Sequence, residues 1–262
     1  MMMFLILEQL TDTPATVETS RKWAAEFVDA IQNVDAPKVT KEGPAAILQH
    51  LGSKVIAAID PPYRAGYIAS NLLLAEGVVQ EAIDREDGAL QTSLTSYIQT
   101  RRKSIGALPF HYLDLWIWQL EIPEPVSNHP HIQTMVDAAV DLVGLGNDIY
   151  SYRKEYLEDG AKHNFVTVAM NDPSTGIQAG DIPTAMNFAV DQFKTTLARV
   201  EQLKNSLPSF DEHPGLGPTL DRYVELMMDS VTGNIEWSVA CKRYSLFEDV
   251  ETRKKGYVTI PS

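Results

Sequence analysis

One helical stripe that runs straight into a row of oxygen-bearing side chains constrains this chain more than any other feature. Ile132, Met135, Val136, Ala139, Leu142 and Val143 recur at helical spacing, the pattern of a helix with a wide buried face. The same segment continues into Asn147, Ser151 and Glu155, at i, i+4 and i+8. Over that interval a helix turns by a net of about 80°, so an amide oxygen, a hydroxyl and a carboxylate share one face. One reading is a polar face running out to solvent. Against it, a helix this apolar would not turn an Asn and a Ser inward without partners, because a buried polar group left unpaired costs about 1–3 kcal/mol. Hard oxygen donors in a row suit Mg2+, above all where substrate phosphates complete its octahedron. The motif therefore points to phosphate chemistry on a helical scaffold.

The rest of the chain keeps the helical period. Trp23, Phe27 and Ile31, with Ala24 and Val28, form one stripe; Ile47, Leu51, Val55 and Ile59 form another. Ile68, Leu72, Val79 and Ile83 continue less cleanly, followed by Phe193, Leu197 and Val200, and by Leu220, Tyr223, Met227 and Val231. No segment alternates as a strand would. Breaks fall at Asp60-Pro61-Pro62, Gly106 to Pro109, Pro123 to Pro130, Asn171-Asp172-Pro173 and Pro208 to Pro218; all are connector-sized. Thr19 or Ser20 is placed to cap one helix, and Pro44 to open the next. The expectation is an all-α protein of roughly eight to ten helices, in a single domain over residues 1–262.

Charge narrows the partners. The net charge is −13, the reverse of a nucleic-acid binder, so a polyanionic ligand must be met through cations and a few placed basic residues. No run of apolar residues is long enough to span a bilayer. The opening Met1 to Leu7 is apolar and ends at Glu8; it reads as the second half of a buried helix. Glu8 and Asp12 stand at i, i+4, a pair that can share Mg2+ ions or equally be a solvated acidic helix end. Lys154 places a cation next to Glu155. The single cysteine, Cys241, fits a reducing, cytoplasmic setting.

The run Asn147-Asp148-Ile149-Tyr150-Ser151-Tyr152-Arg153-Lys154-Glu155, with His163-Asn164 downstream, resembles the second metal motif of class I terpene synthases, in particular the microbial sesquiterpene synthases of the basidiomycete kind. Three further segments agree in order and spacing. Tyr97 to Gly106, with Arg101-Arg102, resembles the segment of the diphosphate-sensing arginine. Gly233 to Ser238 is similar to the last long helix. Lys242-Arg243-Tyr244 resembles an Arg-Tyr pair used on the diphosphate.

The resemblance implies a helical bundle or barrel around a central apolar cavity. It implies an isoprenoid diphosphate substrate, farnesyl diphosphate above all, and a sesquiterpene product. Three Mg2+ ions are implied, with Glu8 and Asp12 on one side and Asn147, Ser151 and Glu155 on the other. Arg101 is the implied sensor, by its distance upstream of Asn147, with Arg102 second. Lys154, Arg243 and Tyr244 would complete the diphosphate contacts. A homodimer is compatible with this reading, and oligomeric state is otherwise open.

Two departures stand out. Glu8 and Gln9 occupy positions where the family has an aspartate and a second acidic residue, and Mg2+ tolerates little change in ligand reach. Family members also carry several helices ahead of the first motif, so the expected fold is the family's without its first helices. Two other readings remain. A chain-elongating prenyltransferase would use two aspartate-rich motifs, which the Asn/Ser/Glu set argues against. A catalytically inactive relative that only binds diphosphate would account for Glu8 and Gln9.

Overall fold

The computed structural model describes residues 16–33, 44–86 and 93–244, and among them every regular element is helical. In chain order these are α1 (Val17–Gln32), α2 (Pro44–Ala58), α3 (Pro61–Glu86), α4 (Leu94–Ser104), α5 (Ala107–Ile117), α6 (Glu124–Ser127), α7 (Pro130–Asp159), α8 (Phe165–Asn171), α9 (Ile182–Asn205) and α10 (Gly217–Ala240), with a 3-10 turn at Pro173–Thr175. The all-α expectation holds, and the helices start and stop close to the Pro and Gly breaks. The first acidic pair, Glu8 and Asp12, and the Met1–Leu7 segment lie outside the described residues. So do the side chains of Ile47 and Leu51.

Two details differ from the sequence reading. Thr16, not Thr19 or Ser20, caps α1: its hydroxyl accepts from the Thr19 N–H at 3.2 Å. The helix thus starts earlier than expected, and Ser20 is buried within it. On α3 the fully buried line is Tyr63, Tyr67, Asn71, Leu74, Val78 and Ala82, while Ile68, Leu72, Val79 and Ile83 are half-buried. Small and aromatic residues, with Leu74 and Val78, face inward there.

The chain divides into two compact units. The first holds α1, α2, α3, α5, the end of α4 and the start of α10. In it α3 packs against α1 and α5, and α2 packs on α1. Phe27 and Ile31 are 1% and 0% exposed; full burial of such side chains contributes about 1.5–3 kcal/mol each. Gly77 on α3 permits a close approach: a Cβ there would stand 2.6 Å from the Ser104 backbone nitrogen and 2.8 Å from the Lys103 carbonyl carbon. Asp60, at the corner before α3, accepts from the Trp116 indole at 3.0 Å and the Gln119 amide at 3.2 Å.

The second unit holds the start of α4, then α7, α8, α9 and the end of α10. Here α9 packs along α7 and α8. Its core gathers Tyr97, Leu145, Tyr152, Phe165, Val166 and Val168. Ala185 and Ala189 are the α9 residues in that core, and their small side chains let α9 approach closely.

Candidate functional site

The site grows from α7. Met135 to Asp148 is mostly buried around the whole circumference of the helix, so the polar triplet emerges from packed protein, as the sequence implied. Asn147 is 8% exposed and Ser151 2%, and Glu155 is half-buried. The Ser151 hydroxyl is sealed from solvent and has no hydrogen-bond partner. Such an orphan costs free energy unless a ligand takes it up.

The two ends of the triplet are held by protein. Asn147 Nδ2 donates to the Tyr244 hydroxyl at 2.7 Å. At the other end, Glu155 Oε2 accepts from Asn164 Nδ2 at 2.9 Å. Asn164 and Asp148 entered the sequence reading only as members of the motif and its downstream pair, with no role assigned, yet both organise this region. Asp148, 1% exposed, accepts from the Tyr97 hydroxyl at 2.5 Å and from the Phe165 N–H at 3.1 Å. It thereby ties α7 to α4 and to the first residue of α8. A polar residue at a helix start, Asn164 before Phe165, was the available signal for a cap; Asp148 gave none beyond its position inside the motif.

Among the described residues no three His, Cys, Asp or Glu side chains gather as a metal cluster. The set that fits a hard cation is the mixed amide, hydroxyl and carboxylate row of α7. The orphaned Ser151 oxygen between two prepared neighbours is what a divalent ion would satisfy.

Residues 1–199 match the family described as terpene synthase family 2, C-terminal metal binding. The chain belongs to the terpene synthase family. It is 32% identical over 211 residues to sesquiterpene synthase 1 of Postia placenta, covering 79% of this chain and 59% of that protein. It is 29% identical over 268 residues to a delta(6)-protoilludene synthase of Armillaria gallica, covering 99% of this chain and 72% of that one. It therefore spans about three fifths of the length of the Postia placenta protein. In fold, the linalool/nerolidol synthase of Streptomyces clavuligerus superposes with a TM-score of 0.75 at 18% identity, over 90% of this chain and 78% of that one. Germacradien-4-ol synthase of Streptomyces citricolor gives 0.73 at 16% identity, covering 90% and 74%. The architecture is that of the class I terpene synthases.

The other residues expected of a terpene synthase are distributed as follows. Arg243 follows the end of α10, its guanidinium 6.0 Å from the Tyr244 ring centre, and Trp237 meets that ring edge-on at 5.7 Å. Asn234, in the segment likened to the last long helix, donates to the Val143 carbonyl at 3.3 Å and contacts α7 beside Gly146. Lys154 Nζ pairs with Glu158 at 2.8 Å.

Arg101 and Arg102 belong to the first unit. Arg101 pairs with Glu81 of α3 at 3.2 Å, both side chains largely buried, and Ser104 donates to the same carboxylate. Glu81 was missed from sequence, because its partners lie a helix away.

Proposed function

We propose that this protein is a Mg2+-dependent sesquiterpene synthase that ionises farnesyl diphosphate and converts the resulting carbocation to a C15 hydrocarbon or alcohol. The reading rests on one observation: a buried, partnerless Ser151 hydroxyl between Asn147 and Glu155 on a single helix face. Sesquiterpene and protoilludene synthases among its relatives support the substrate class.

In this reading Asn147, Ser151 and Glu155 hold metal on one side, with Glu8 and Asp12 on the other. Bound Mg2+, three ions in the family's manner, would neutralise the charge that develops on diphosphate as the allylic C–O bond breaks. Arg101, with Arg102 second, binds the diphosphate through paired guanidinium donors. Glu81 keeps the Arg101 side chain ordered until then. Lys154, paired with Glu158 in the structure, supplies a further cation to the phosphate. Arg243 and Tyr244 complete the grip, and Tyr244 orients the Asn147 amide. Both units are read as parts of one synthase domain, because the family match crosses from one to the other. No described helix is long and apolar enough to cross a membrane, and the one cysteine is free; we place the protein in the cytoplasm.

The test is incubation with farnesyl diphosphate and Mg2+, with products read by gas chromatography. A volatile C15 product is expected. Product that forms only when isopentenyl diphosphate is added would replace this reading with a prenyltransferase. Stabilisation by Mg2+ and pyrophosphate without turnover would replace it with an inactive relative.

A further inference from the structure

Asn164 has no solvent exposure and employs both ends of its amide. Nδ2 donates to Glu155 Oε2 at 2.9 Å and to the Asp148 carbonyl at 2.9 Å. Oδ1 accepts from the Val166 N–H at 3.0 Å, capping α8. The chain reaches this point through a tight reversal. Gly160 closes α7 at φ 81° and Ala161 follows at φ 51°. Their N–H groups return to the Tyr156 carbonyl at 3.2 Å and the Glu155 carbonyl at 3.1 Å, in the manner of a left-handed helix cap. The reversal lays Asn164 back against the last donor of the triplet.

This arrangement has a consequence for Glu155. A glutamate on a helix loses side-chain entropy when it is fixed. A buried amide that already grips one carboxylate oxygen takes that loss in folding, before any ligand arrives. Hydrogen bonds to ligating carboxylates commonly change metal affinity by about 10–100-fold.

We propose that Asn164 is a positioning residue, which holds the Glu155 carboxylate in ligating geometry and so raises affinity for the divalent cation with pyrophosphate. The proposal rests on the metal reading of Asn147, Ser151 and Glu155, and the test separates the two. Asn164→Ser keeps a hydroxyl able to cap α8 and removes the amide donor. Asn164→Asp keeps the size and the capping oxygen and puts a carboxylate where the donor was. The protein and both variants are titrated with Mn2+ in the presence of inorganic pyrophosphate, read by electron paramagnetic resonance, with metal-free melting followed in parallel.

Dissociation constants about tenfold higher in both variants are expected, at the low end of the range for such hydrogen bonds. Added to Glu155→Gln, the Asn164→Ser change is expected to cost less than about twofold further, because its partner is already altered. Unchanged Mn2+ binding in either folded variant overturns the proposal. So does a full additional loss in the Glu155→Gln background, which would make Asn164 a helix cap alone. Failure of the parent protein to take up Mn2+ overturns the metal reading, and this proposal with it.

Discussion

Ser151→Ala offers the sharpest test, because folding and function should move in opposite directions. The hydroxyl oxygen is buried and makes no hydrogen bond, and the residue is 2% exposed. Removing an orphaned buried hydroxyl relieves about 1–3 kcal/mol, and alanine is the better helix former. For a chain of 262 residues, an unfolding entropy of about 2.1 cal/mol/K per residue makes each kcal/mol worth about 2 °C. Differential scanning calorimetry in chelator should therefore place the metal-free variant about 2–5 °C above the parent. With Mg2+ and inorganic pyrophosphate that lead should shrink to nothing or reverse. A ligand at about a hundred times its dissociation constant adds about 2.7 kcal/mol, or about 5 °C, and the variant should lose most of that gain together with its turnover. A metal-free variant that melts several degrees lower would mean the oxygen has a structural partner. An equal ligand-induced shift in both proteins would remove Ser151 from the metal set.

Two other outcomes follow from the first unit. Gly77→Ala drives a Cβ into backbone atoms of Lys103 and Ser104, which cannot yield as a side-chain tip could. A loss of about 1–3 kcal/mol or more is expected in chemical denaturation; an unaffected midpoint would contradict the close packing of α3 on the end of α4. His111 contacts the Tyr223 hydroxyl at 2.5 Å, and burial pushes its imidazole down from 6.5 to about 4. The folded protein then binds fewer protons than the unfolded chain between those values. Stability is complete above about pH 6.5 and falls toward pH 4, by on the order of 2–3 kcal/mol. His111→Gln should flatten that part of the pH–stability curve, and an unaltered slope would assign the acid loss to other groups.

The helical placement and burial of the α7 triplet were legible because that information is local. Helical phase alone puts Asn147, Ser151 and Glu155 on one face, and the apolar run before them says that face is buried. What holds the triplet was not legible in the same way. Asp148 is one residue on, about 100° around the helix, and its partners Tyr97 and Phe165 are 51 and 17 positions away. Tyr244 reaches Asn147 across 97 positions, and Glu81 reaches Arg101 across 20. Such pairings are decided by tertiary packing, which periodicity does not encode. The α3 face was misplaced for a related reason. Its buried line relies on Ala75, Gly77, Ala82 and two tyrosines, and small residues carry little hydrophobic signal although they set how closely helices meet.

The reversal at Gly160 and Ala161 acts as a ruler. Its length decides whether residue 164 arrives beside Glu155, so one inserted or deleted residue between 160 and 163 would swing the amide away from Glu155 and from the start of α8 together. Libraries that vary loop length should keep that span constant and take their diversity from the stretch between α9 and α10.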